Sequence, residues 1–226
     1  MTRELDARLS GVARMVPECG LCADIGADHG LLSEWLLSAG RVARLYICDI
    51  SAPSLDKARR RLEGGALAER ARFEVGDGLE RVSEPLDACV IAGMGGETMM
   101  GILERGLDVI RGATLALQPN VDADRVRAWL YANGFAVSDE ELIYDGRWWY
   151  SIIQARPDAG AARPTERELL AGPVLLRRRH ALLPRYAQRQ ARILKKAMAP
   201  IAPGNPRAAE LERRLRIWEE IAAWPR

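Results

Sequence analysis

The sequence predicts an α/β protein: a mainly parallel sheet with one reversed strand at its end, then a C-terminal helical hairpin. Three observations predict it. Strand-like apolar runs alternate with helical ones between residues 21 and 133, and strands separated in this way pair in parallel through crossover helices. The last two runs, FAVSDEELIYDG and RWWYSIIQARP, meet at Asp145-Gly146, a hairpin signal that makes them antiparallel. Beyond a small-residue linker with two prolines, PDAGAARPTE (157–166), strand signals stop.

The elements follow in order. MTRELDARLSGVARMV mixes acids and bases without an uninterrupted apolar core, so it reads as an amphipathic helix over about 3–16, not as a signal peptide. LCADIGA (21–27) is a strand and 29–39 a helix. RLYICDI (44–50) is a strand and 52–63 an Arg-rich helix. ARFEVGDG (71–78) is a strand. DACVIAGMGG (87–96) is a strand ending in a glycine loop, and 97–105 is a helix. ATLALQPN (113–120) is a strand, and 122–133 a helix ended by Asn133-Gly134. After the linker, one helix is expected over about 174–198, with a start or kink near Pro184 because proline breaks the helical ladder. APIAPGNPR (199–207) is a turn, and a second helix runs over about 207–223. In it Leu211, Leu215, Trp218 and Ala222 form an a/d seam. Leu176, Leu183, Tyr186, Gln190, Ile193 and Ala197 give the first tail helix a similar stripe, whose simplest role is the hairpin's own core. The expected domains are 1–157 and 163–226.

At 226 residues the chain can bury a sizeable core, and 48% hydrophobic with 28% charged residues is the balance of a folded soluble protein. No apolar run approaches the roughly 20 residues of a membrane span, so a cytoplasmic location is expected. Cys19 and Cys22 form one CxxC with no second pair at zinc spacing, and Cys22, Cys48 and Cys89 fall inside strands. They read as reduced, buried small hydrophobes, with no metal site. The net charge of +2 hides a division. Residues 1–157 hold 18 Lys and Arg against 24 Asp and Glu, a net −6, and residues 158–226 hold 15 against 7, a net +8. A basic tail on an acidic body suits a polyanionic partner.

A parallel sheet binds ligands beyond the carboxyl ends of its strands. Those ends here carry Asp24–Gly30, Asp49, Gly76–Gly78, Gly93–Gly96 and Gln118–Asn120. A dinucleotide site needs G-x-G-x-x-G and a helix N-terminus free for pyrophosphate. This chain offers only Gly26 and Gly30, and places Asp28 where it would repel a phosphate. Asp49 is placed to accept from ribose hydroxyls, and Asp77 from an exocyclic amine. Amino acid, ribose and adenine without phosphates describe S-adenosylmethionine. The predicted donor site is Asp24, Gly26, Asp28, His29, Asp49, Ile50, Gly76, Asp77, Gly78 and Gly93. Each piece also has a plainer reading: Asp-x-Gly as a turn, Asp49 as a strand cap, His29 as a helix-start residue bonded to backbone, Asn120 as an N-cap.

ADIGADHG, GDGL (76–79), IAGMGG (91–96), LQPN (117–120), RAWL (127–130) with Gly134-Phe135, and Trp149-Tyr150-Ser151-Ile152 occur in order. This series resembles the bacterial tRNA (adenine-22-N1)-methyltransferase family over about residues 4–157, and over the tail by architecture only. The chain departs from the family's usual Asp-His-Ala-Tyr-Leu-Pro at Asp28-His29-Gly30-Leu31-Leu32-Ser33, and has Ala52-Pro53 where Gly-Pro is common. The resemblance implies a Rossmann-like class I methyltransferase sheet followed by a helical coiled coil. It implies transfer of a methyl group from S-adenosylmethionine to N1 of adenine 22, leaving S-adenosylhomocysteine. Asp28, Gly93, Met94 and Gly95 are the catalytic candidates, since glycines let backbone approach a base and a carboxylate offsets charge developing on it. Arg8, Gln118 and Asn120 are candidates for contact with tRNA, as are the tail residues Arg177, Arg178, Arg179, Arg189, Arg192, Lys195 and Lys196. No obligate protein partner is evident. A small-molecule methyltransferase and an RNA-binding protein without turnover remain open on the residues alone.

Overall fold

The computed structural model describes residues 4–63, 65–201 and 205–225. The outer limits of the two expected domains, the expected helix start at residue 3, and residues 202–204 of the expected turn lie outside the described residues. Seven strands form one sheet: β1 (Cys19–Ile25), β2 (Val42–Asp49), β3 (Ala71–Val75), β4 (Ala88–Met94), β5 (Thr114–Pro119), β6 (Phe135–Tyr144) and β7 (Trp149–Pro157). Their order is β3-β2-β1-β4-β5-β7-β6. β1 to β5 pair in parallel, while β7 runs antiparallel to both β5 and β6. The reversed strand is therefore not at the edge of the sheet. β7 inserts beside β5, and the hairpin leaves β6 outermost.

The sheet is covered on both faces, which explains its apolar strands. Helices α1 (Ala7–Met15), α2 (Leu31–Ser38) and α3 (Ala52–Leu62) pack Val12, Leu36 and Leu55 on one face, around Cys22, Ile47 and Val90. On the other face α4 (Gly96–Arg105), the short α5 (Leu107–Ile110) and α6 (Ala123–Ala132) pack Met99, Ile110 and Val126 around Ala23, Ile91 and Leu115. The Asp6 side chain accepts from Leu9 N and starts α1. Cys22, Cys48 and Cys89 are buried free thiols.

The tail departs from a single long first helix. Two helices occupy its span, α8 (Pro173–Arg177) and α9 (Leu183–Met198), the second starting beside Pro184 as expected; α7 (Glu166–Ala171) precedes them and α10 (Pro206–Ala222) follows. The linker ends in a capping box, Thr165 with Glu168. Pro173 and Pro184 each sit in the first turn of a helix, where the missing N–H costs nothing. The seam of α9 is also shifted. Leu183, Ala187 and Ala191 are its buried positions, whereas Ile193 is 45% exposed and Ala197 is exposed. Small alanines let α10 approach closely, and Leu211, Trp218 and Ile221 fill the space.

A buried ion pair ties the tail to the sheet. Arg127 of α6 is 2% exposed and donates from Nε to Glu140 Oε1 of β6 at 2.7 Å. Its other nitrogens donate to Leu169 O at 2.8 Å and Ser151 Oγ at 3.1 Å. Glu140 Oε2 accepts from Val174 N at 2.8 Å. The chain turns at Gly172 (φ +94°), where a Cβ would come within 2.6 Å of Glu140 Oε2, so only glycine lets the backbone wrap the carboxylate. Removing one partner of such a pair strands the other without solvent. Arg127→Met is expected to cost about 3–5 kcal/mol in urea unfolding, and Glu140→Gln a similar amount, because it leaves the Arg127 charge unpaired and turns an NH2 toward a donor where the carboxylate accepted.

Candidate functional site

The loops beyond β1, β2 and β3 are hydrogen-bonded to one another, and Met94 at the end of β4 lies against them. Gly26 N and Ala27 N both donate to Cys48 O, at 2.8 and 3.1 Å. Asp49 Oδ2 accepts from Asp28 N at 2.9 Å, and Oδ1 from Ser51 N at 2.8 Å. Gly76 N donates to Asp49 O at 3.2 Å. The carboxylate of Asp49 is thereby held in one orientation, with a lone pair left on each oxygen. Exposed Ile50 (75%) and Val75 (48%) flank it. Gly26 has φ +71°, and a Cβ there would run into the Met94 methyl. The positive φ is what favours glycine, since the Met94 methyl ends a flexible side chain that can shift, and Met94 packs the β4 loop against the β1 turn.

Asp24 is buried under this turn and accepts from Ser33 Oγ at 2.6 Å. Burial raises its pKa to about 6, against the lowering effect of the Ser33 hydroxyl, and nearby Asp49 adds to the rise. Asp28 (φ +48°) carries a carboxylate that is 70% exposed and 3.6 Å from His29 Nε2. Lys57 Nζ lies 3.0 Å from the same ring nitrogen, and Arg61 Nε donates to His29 O. The His29 ring therefore meets side chains rather than backbone. Asp77 Oδ2 receives Arg105 at 2.6 Å, so its carboxylate has one oxygen left for a ligand.

The second half of the site is a relay of amides beyond β4 and β5. Pairing of these strands shifts register between Ala92 and Met94, around Gly93 at φ +80°. Asn120 Nδ2 donates to Gly93 O at 2.7 Å and Asn120 N to Met94 O at 2.8 Å. Gln118 Nε2 donates to Asn120 Oδ1 at 3.1 Å, and Arg8 of α1 donates to Gln118 Oε1 at 3.1 Å. Arg8 can only donate, so it sets the orientation of both amides and hence of the Gly93 carbonyl. Asn120 does not cap α6: Asp122 takes the N-cap position, without a side-chain cap bond. Gln118 is fully buried and so positions Asn120 instead of facing an RNA. Val121 is 59% exposed beside Gly95.

A family model described as "Methyltransferase domain" matches residues 5–153. The tRNA (adenine(22)-N(1))-methyltransferase of Bacillus subtilis (strain 168) is 32% identical over 185 residues, 79% of this chain and 78% of that protein. This chain belongs to that methyltransferase family. The solved B. subtilis m1A22 tRNA methyltransferase TrmK superposes with a TM-score of 0.86 at 27% identity, covering 97% of this chain and 99% of the other. A protein of the NADB-Rossmann superfamily from Streptococcus agalactiae gives 0.89 at 27% identity, over 98% and 99%.

The residues present fit the family's methyl donor, S-adenosylmethionine. Asp49 keeps acceptor capacity of the kind ribose hydroxyls would use, and Ile50 and Val75 are exposed apolar side chains beside it. The start of α2 presents Asp28 and spends Gly30 N on Ala27 O, which suits a cationic ligand and no phosphate. Among the described residues no group of His, Cys, Asp and Glu could hold a metal.

The predicted RNA contacts divide. Arg189, Arg192 and Lys196 line one cleft beside α9. Arg178 pairs with Asp139 and Lys195 with Glu219, while Arg179 stacks on Trp224. Arg177 borders a different surface, near Thr165. The relay from Arg8 to Gly93 joins residues 8, 93, 118 and 120, and no local sequence pattern announces such a link.

Asp24 binds more protons folded than unfolded between its ordinary 3.8 and about 6. Stability should therefore fall as pH rises through that window. Urea unfolding across it should show this fall in the wild type. Asp24→Asn, which keeps an acceptor for Ser33, should flatten it and be the more stable protein above the window.

Proposed function

We propose that this protein transfers the methyl group of S-adenosylmethionine to N1 of adenine 22 in tRNA. The observation that carries the reading is the Arg8–Gln118–Asn120–Gly93 relay, which fixes a carbonyl beside a methyl-donor pocket in a member of this family. The donor supplies an electrophilic methyl group on a sulfonium. Adenine N1 has a free lone pair, so the chain needs no base to deprotonate it. Its residues have to orient the ring and tolerate the positive charge that develops there. The Gly93 carbonyl is a fixed acceptor for the amino group next to N1, and Met94 and Val121 give the ring apolar surface. Asp28 is the carboxylate that offsets developing charge, with Asp24 holding its loop. Orientation of this kind supplies roughly 7–11 kcal/mol in favourable cases.

Residues 1–157 carry donor and target in this reading, and residues 163–226 add the cationic surface that holds tRNA. Adenine 22 lies within the folded tRNA, so the base is extruded to reach Gly93. Because the substrate is tRNA, we place the protein in the cytoplasm; among the described residues no helix is long and apolar enough to cross a membrane.

Incubation with S-adenosylmethionine and an unmodified tRNA transcript should yield 1-methyladenosine by nucleoside mass spectrometry. A transcript with guanine at position 22 should yield none. Product that persists in that control would reject the assignment. Asn120→Ala should slow single-turnover methylation about a hundredfold, with donor affinity by calorimetry within about threefold of wild type, because the amide acts on the base and not on the donor.

A further inference from the structure

A second cleft, of about 430 Å³, lies between the end of the β6–β7 hairpin and α9. Five cations line it: Arg147 from the hairpin, and Arg185, Arg189, Arg192 and Lys196 from α9. Among the described residues no carboxylate lines it. Among the described residues none of the five is in an ion pair, whereas Arg167, Arg178, Lys195, Arg213 and Arg214 of the tail each have an acidic partner. Like charges gathered without counter-charges destabilise a fold and are offset when an anion binds.

The cleft is more than a charged surface. Tyr144 and Trp149 form one wall, with ring centroids 4.6 Å apart. The Arg185 guanidinium carbon lies 4.4 Å from the Tyr144 ring centroid and 5.8 Å from that of Trp149, within cation–π range of both. Ile193, 45% exposed, adds an apolar edge. Phosphate-binding cations beside aromatic faces are the chemistry of a nucleotide, and the volume lies within the 300–1,000 Å³ common for small-ligand sites.

Position connects the cleft to the target edge. β6 runs parallel to β5, so Tyr144 and Trp149 emerge at the same edge of the sheet as Asn120. A groove of about 440 Å³ starts at Asn120 and Val121 and reaches Trp149, Arg189 and Ile193, all three of which also line the cleft.

We propose that this cleft is a second nucleotide subsite, holding an unstacked nucleotide that neighbours the methylated adenine on the same RNA strand. Its phosphate meets Arg147 and Arg185, and its base meets Trp149. The inference rests on the tRNA reading above.

The test uses the full chain and a tRNA transcript carrying 2-aminopurine on one side or the other of adenine 22. Arg147→Gln with Arg185→Gln removes two cleft charges. Arg111→Gln with Arg156→Gln removes two at the opposite edge of the sheet and serves as control. Wild type should change the probe's fluorescence at one of the two positions. The cleft pair should lose that response, bind tRNA about tenfold more weakly, and show a log-affinity against log-salt slope smaller by about two. It should keep the wild-type thermal shift with S-adenosylmethionine. The control pair should match wild type. Equal weakening by both pairs would overturn the subsite in favour of a diffuse field, as would wild-type binding with no fluorescence response at either position. A wild type that binds tRNA without methylating adenine 22 sinks the reaction assigned above yet leaves this comparison readable. A wild type that does not bind tRNA overturns both.

Discussion

The Arg127–Glu140 pair is the interaction on which the relation between sheet and tail depends. A buried charge is tolerated only when its hydrogen-bonding capacity is spent, and both partners here meet that condition by reaching across elements. Arg127 joins α6 to the α7 carbonyls and to β7, and Glu140 joins β6 to the start of α8. The pair adds little net stability over an apolar substitute. What it contributes is uniqueness: the tail has one place where the donors and acceptors match. The basic face of α9 is thereby set beside the β6–β7 hairpin and cannot pack elsewhere without exposing an unpaired charge to the core.

The site follows the same logic at smaller scale. Its loops are joined to one another through carboxylate and carbonyl acceptors at the strand ends, which fixes them relative to one another. Asp24 runs against stability. Its burial raises its pKa, and the ionised form is retained at neutral pH at a cost to the fold. Arg8 closes the arrangement from the other side. A residue near the start of the chain orients two amides and a carbonyl on β4 and β5, which ties the packing of α1 to the target edge.

Much of this was legible in the chain. The alternation of apolar runs and the Asp145-Gly146 turn depend on local backbone physics, and the elements built from them correspond in kind and order up to residue 157. Asp24, Gly26 and Asp49 were legible because strand ends and tight turns leave local signatures. The tail was read less well. A stripe containing Tyr186, Gln190 and Ile193 matches helical spacing as well as Leu183, Ala187 and Ala191 do, and alanine is a weak hydrophobic signal. Only the approach of α10 selects between them. Gln118 looked available for recognition because polar residues usually face water, and it is buried because Arg8 and Asn120 satisfy it.

By itself the sequence determined the α/β class, the positions of the turns, the acidic strand ends and the separation of charge between body and tail. Each of these is set by neighbours within a few residues or by composition. Only the tertiary structure decided that β7 enters between β5 and β6, that Arg127 finds Glu140, that Arg8 governs the Gly93 carbonyl, and that Arg147 from a hairpin joins four cations from α9. Those outcomes come from pairings between distant residues. They arise from burial and the need to satisfy every buried polar group, and no local window of sequence carries that information.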